Sequence, residues 1–141
     1  MGFCMQKRPV TLACVTDQMN CERIIRAARR LADVDGSSLC VINVSDPDLS
    51  KQDSRSIEYL FSVSKKHDAV MNVFYSDNPY KVLSNFIKEN RVVTVVTGMP
   101  RGENSILSKL TSRFIATDFF AVDQNGTATQ LFDGSAKTTI A

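Results

Sequence analysis

The sequence predicts a doubly wound α/β domain, with a five-stranded parallel sheet in the order 3-2-1-4-5 and helices on both faces. Short apolar, β-rich runs alternate with segments of 3.6-residue periodicity, strand then helix, four times before a last strand. The second and fourth runs, SLCVINV and RVVTVVT, are apolar on both faces, as strands covered by helices on both sides are. Crossovers of about ten residues or more demand parallel pairing and a right-handed path.

The first strand is placed at residues 10–16 (VTLACVT), after Pro9, and stops at the polar loop 17–20, where Asn20 is the expected N-cap. Helix one is predicted from Cys21 to about Val34. Ile24, Ile25, Ala28, Leu31 and Ala32 share one stripe, and Arg23, Arg26, Arg29 and Arg30 form a solvated face opposite. Gly36 supplies the stop. Strand two spans 38–44. Helix two spans about 53–66, with Ile57, Leu60, Phe61 and Ser64 on its inward stripe. Strand three spans 69–75. Asn78-Pro79 opens helix three, 79–89, because proline suits the first helical position. Strand four spans 91–97 and, as the most apolar run, is placed at the sheet centre. Helix four spans about 105–113. The last strand spans 117–123, before a turn at Asn125-Gly126. One domain is expected over residues 1–141, with its core at 9–123 and a tail at 124–141 whose end, 135–141, frays.

Composition narrows the function. Hydrophobic residues make up 43% and charged residues 23%, an ordinary globular balance, and the net charge of +2 provides no broad footprint for nucleic acid or anionic lipid. The longest apolar runs fall far short of the roughly 20 residues of a bilayer span, and the N-terminus lacks a signal core. Nucleic acid and membrane are therefore not expected partners, and the chain reads as cytoplasmic. Cys4, Cys14, Cys21 and Cys40 lack metal-binding spacing and read as reduced. His67, the single histidine, sits between Lys66 and Asp68 at a helix end, which suits solvation better than catalysis. No paired carboxylates are apparent, so no catalytic residue is assigned.

Ligands of doubly wound sheets bind beyond the carboxyl ends of the strands. Three loops lie there: 16–20, 45–47 and 98–104. The last has Gly98 ending a buried strand, Gly102 four residues on, Arg101 between them and Ser105 opening a helix. Glycines let backbone N–H groups approach phosphate, and the arginine grips oxygen bidentately. It is not a P-loop, because no GK[ST] follows. Asp17, leaving strand one, is placed for ribose or metal, or for solvent.

Several segments together resemble the universal stress protein family, over residues 10–122. CERIIRAARRLAD resembles the family's SERALRYAARLA opening, and YSDNPYKVLSNFIKEN its GDPAEAILEFAEE segment. VVTVVTGMPRGENSILSKLTS is similar to its strand and phosphate loop, DLIVMGSRGRSGLSRLLLGS. The nearest variety in this reading is the universal-stress-like domain of potassium-sensing histidine kinases. The resemblance implies a five-stranded parallel sheet, dimerisation through the last strand and, in many members, ATP binding; kinase-type domains include binders of cyclic dinucleotides. In the family's loop, Gly98 matches the first glycine and Ser112 the final hydroxyl. Arg101 and Thr111 stand where two other glycines do, with Gly102 shifted by one. The acidic residue after strand one aligns to Thr16, with Asp17 one position late.

The resulting expectation is a non-enzymatic regulatory or sensing module that binds ATP or another adenine nucleotide. Val41, Val44, Thr16 and Asp17 flank adenine and ribose, and Gly98, Arg101, Gly102, Ser105, Thr111 and Ser112 surround phosphates. A homodimer is expected through Phe119, Phe120 and Val122 on the exposed edge of the last strand, and a signalling protein is the expected further partner. The rival reading is a nucleotide-free dimerisation and interaction domain of a sensor-kinase system.

Overall fold

The computed structural model describes residues 8–15, 20–48, 54–99, 106–132 and 135–140. The parallel strands are β1 (Val10–Cys14), β2 (Ser38–Ser45), β3 (Val70–Tyr75), β4 (Val92–Gly98) and β5 (Asp118–Val122), in the spatial order 3-2-1-4-5. Between them run α1 (Glu22–Asp35), α2 (Ser54–Lys66), α3 (Pro79–Glu89) and α4 (Ile106–Arg113). The predicted sheet order is observed, with β1 and β4 central.

Alternation along each strand feeds two cores. On β1, Ala13 and Val15 face α1 and α2, where Ile25, Ala28, Ala32 and Leu60 are buried. Leu12 and Cys14 face α3 and α4 and pack with Ile87 and Leu110. Register fixes the layers: Ala13 stands opposite Val41 on one side and Val96 on the other, all in the α1–α2 core. Each fully buried Leu, Ile or Val contributes about 1.5–3 kcal/mol.

Local signals account for most helix ends. Gly36 adopts φ 70° after α1, and its N–H donates to the Ala32 carbonyl. The Asn78 side chain accepts from the Lys81 N–H at 3.2 Å, with Pro79 at the first helical turn. At α1 the expected cap is displaced by one: Cys21 holds the N-cap position without a side-chain bond, and the Asn20 carbonyl accepts from Arg23 Nη1 at 3.2 Å. In α2 the inward stripe is Ser56, Leu60, Val63 and Ser64. Phe61 is 55% exposed, a correction to its expected place in the core.

The tail requires a larger correction. Within it, β6 (Ala128–Phe132) pairs antiparallel with β5, and β7 (Ser135–Ile140) pairs antiparallel with β6, making a seven-stranded sheet in which residues 135–140, expected to fray, are a strand. The turn is built by Asp123, whose Oδ1 accepts the N–H groups of Asn125 and Thr127, each at 2.9 Å, while Gly126 takes φ 85°. Ala128 joins the α1–α2 core and Leu131 the α3–α4 core. β5 is therefore not an open edge, and the edge argument for dimerisation through it does not hold. Phe119 and Phe120 do point to opposite faces, as adjacent strand residues must, and each is buried within this chain, as is Val122.

Candidate functional site at the strand carboxyl ends

β1 leaves the sheet at Val15, whose N–H donates to the Ile42 carbonyl at 2.9 Å. The Val15 carbonyl accepts from Asn43 Nδ2 at 2.7 Å, and Asn43 Oδ1 accepts from Ser45 Oγ at 2.6 Å. Asn43 is 1% exposed. A buried amide so engaged fixes where β1 ends relative to β2, because an alkyl side chain there would leave the Val15 carbonyl without this donor. Within the otherwise apolar SLCVINV run, Asn43 is the lone amide, and that is the signal in the sequence for this junction.

Beside this junction lies a pocket of about 170 Å³. β1 contributes Cys14, with Val15 just after it, β2 Ile42 and Val44, and β4 Val95 and Thr97; Pro79 and Leu83 of α3 and Ile106, Leu107 and Leu110 of α4 close it. Thr97 supplies the one hydroxyl among these residues. Burial pushes the Cys14 thiol up to about 12, so it stays protonated and apolar at neutral pH. Such a slot suits a flat heterocycle far better than a phosphate chain, whose charge would have to lie outside it.

Gly98 ends β4 next to Thr97. A Cβ added there would meet Ile24 Cδ1 at 3.4 Å and Arg23 Nη2 at 3.7 Å, so the guanidinium of Arg23 lies over the exit of the central strand. Of the predicted site residues, Val44 lines the pocket; Gly98 follows the lining residue Thr97 but does not itself line it, and its Cα faces α1. Val41 does not line it. Alternation turns Val41 into the α1–α2 core, fully buried, and Ile42 takes the place expected of it. Thr111 is buried, and its hydroxyl donates to the Ser108 carbonyl within α4 at 2.9 Å. Ser112 is exposed on α4. Thr16, Asp17, Arg101, Gly102 and Ser105 lie outside the described residues, as does Cys4.

Nor is the arginine face of α1 merely solvated. Arg29 pairs with Asp33 at 2.9 Å and donates to the His67 carbonyl at 3.1 Å, tying α1 to the end of α2. Glu22 receives Lys66 at 3.0 Å and lies 3.5 Å from His67 Nε2, so the histidine leans on α1 instead of facing solvent alone. Hydrogen bonds from Lys66 first, then His67, hold the Glu22 carboxyl below the usual carboxylate range. Among the described residues, no group of three or more His, Cys, Asp or Glu side chains could hold a metal ion, and no helix is long and apolar enough to cross a membrane.

The architecture has a solved counterpart. A universal stress protein from Archaeoglobus fulgidus superposes with a TM-score of 0.57, covering 75% of this chain and 87% of that one at 15% identity. The fold is of the universal stress protein type. No protein-family model and no curated protein sequence matches the chain. In a universal-stress-type sheet of order 3-2-1-4-5, the carboxyl ends of β1 and β4 form the topological switch point, and the apolar pocket opens there.

Proposed function

We propose that the chain is a cytoplasmic, non-enzymatic regulatory module of universal stress type that binds an adenine nucleotide across the carboxyl ends of its central strands. The observation that carries this reading is the apolar pocket at the switch point, where Thr97 of β4 is followed in sequence by Gly98 and the segment with Arg101, Gly102 and Ser105. The base enters the slot between Val15, Ile42 and Val44 and the α3–α4 side chains. The phosphates lie toward Gly98, where Arg101 supplies charge and Gly102 and Ser105 supply donors; Thr16 and Asp17 flank the ribose. Ser112 is the remaining candidate hydroxyl, since that of Thr111 is engaged within its helix. The free thiols of Cys14, Cys21 and Cys40 accord with a reducing compartment.

The likeness of helix one and strand four to potassium-sensing histidine kinases supports a sensing role next to a signalling protein, with ATP or a cyclic dinucleotide as the ligand. A homodimer is part of this reading. With β6 covering the seam of Phe119, Phe120 and Val122, a second copy pairs on β7, the outer strand. Calorimetry with ATP, AMP and a cyclic dinucleotide, with and without magnesium, tests the nucleotide. Arg101→Ala is expected to weaken binding by about 1.5–3 kcal/mol, the worth of a hydrogen bond to a charged group. If no ligand binds below millimolar concentration, the chain is instead a nucleotide-free interaction domain.

A further inference from the structure

A second concavity, of about 480 Å³, lies between α1 and the turn from β5 to β6. Arg23, Arg26 and Arg30 line it from one stripe of α1, and Gln124, Asn125 and Thr127 line it from the turn. Every one of these side chains carries a hydrogen-bond donor and none is a carboxylate. Asp123, just before the turn, already accepts two backbone N–H groups through Oδ1.

The three guanidinium groups are poorly neutralised. Arg26 reaches Glu22 at 3.4 Å, but that carboxylate also serves Lys66 and lies beside His67. Arg30 donates to the Gly126 carbonyl at 3.3 Å, and Arg23 Nη1 to the Asn20 carbonyl at 3.2 Å; neither forms an ion pair among the described residues. Among the described residues, Arg23 Nε is buried with no acceptor. Arg29, on the same helix but outside this pocket, is answered by Asp33 at 2.9 Å. A solvated arginine face would leave all four alike. Like charges three and four residues apart repel, and a buried donor without a partner is costly, so the arrangement lacks an anion.

We propose that this pocket is an oxyanion site, separate from the strand-end slot, that takes the phosphate or polyphosphate group of a small molecule. Arginine forks suit phosphate bidentately, and the turn's amides and hydroxyl complete the donor set. The space admits more than one phosphate group.

The test is titration of the full chain with inorganic pyrophosphate at fixed ionic strength, followed by calorimetry, with ATP and adenosine as further arms. Saturable pyrophosphate binding below about 1 mM is expected, weakened roughly tenfold or more by Arg30→Gln and by Arg23→Gln. Arg30 is exposed, so its replacement keeps the fold, and melting in buffer checks both variants. Lys88→Gln, an equal loss of charge on exposed α3 surface, leaves binding unchanged. ATP binding that survives Arg30→Gln while adenosine also binds reports the strand-end slot instead. Absence of saturable pyrophosphate binding, binding that survives both Arg30→Gln and Arg23→Gln, or an equal loss on Lys88→Gln overturns the proposal.

Discussion

Replacing Phe119 by alanine separates a strand buried in one chain from a strand at a subunit seam. Phe119 is 1% exposed, stands opposite Val95 on β4 and Leu131 on β6, and shares the α3–α4 core with both. Truncation removes a whole ring from a site walled by strands on both sides, where collapse is limited. The cost is about 3–5 kcal/mol, the range for buried Phe→Ala changes. For a chain of this size roughly 3–4 °C is lost per kcal/mol, so the melting temperature falls by about 10–20 °C. Denaturant unfolding and calorimetry measure this directly, at two protein concentrations tenfold apart. The loss is expected to be the same at both, with unchanged mass by light scattering. A loss that shrinks as protein concentration rises, or a halved mass with little loss of stability, would show that the ring packs against a second copy and that β6 does not cover it.

The remaining predictions concern the junctions that hold the cleft. Asn43→Leu is expected to destabilise the chain by about 1–3 kcal/mol by leaving the Val15 carbonyl without its amide donor, read by urea unfolding. Gly98→Ala meets only ordinary contacts at 3.4 and 3.7 Å and changes stability by about 1 kcal/mol or less, so loss of nucleotide affinity in that variant reports close backbone approach to phosphate. Gly126→Ala forces alanine to φ 85° and costs about 1–2 kcal/mol in melting experiments. The Glu22 carboxyl is held below its ordinary value of 4.5, so its contribution is complete above that pH and disappears as pH falls through the lower folded-state value. That contribution is about 1 kcal/mol or less for so exposed a cluster, and Glu22→Gln flattens this part of the stability–pH curve.

Much of the fold is legible in the sequence because burial on both faces leaves a continuous apolar run and burial on one face leaves a 3.6-residue stripe. SLCVINV and RVVTVVT announce β2 and β4, and Asn78-Pro79 and Gly36 mark helix ends through chemistry that acts locally. The last two strands are harder to read. Ala128–Phe132 holds two residues that enter opposite cores, Ala128 and Leu131, with Thr129 and Gln130 between, so neither alternation nor a full apolar run appears. Asn125-Gly126 is visible as a turn, but the hairpin follows only when Asp123 is seen folding its carboxylate onto the turn. At the pocket, Val44 is reached by its position relative to a strand end, whereas the choice between Val41 and Ile42 depends on which face each strand presents. The exchange of one for the other is a parity error of a single residue. Arg23 illustrates a different limit: its role follows from a through-space neighbour, Gly98, distant in sequence, and from a turn that helix periodicity cannot reveal.

Amide chemical-shift mapping with ATP tests the central claim most directly. Saturable shifts are expected at the pocket residues Cys14, Val15, Ile42, Val44 and Thr97 and at the adjoining Gly98, with a dissociation constant below about 1 mM. No shift at these positions at saturating ligand, or shifts confined to Arg23, Arg30 and Thr127, would contradict a nucleotide in the strand-end cleft.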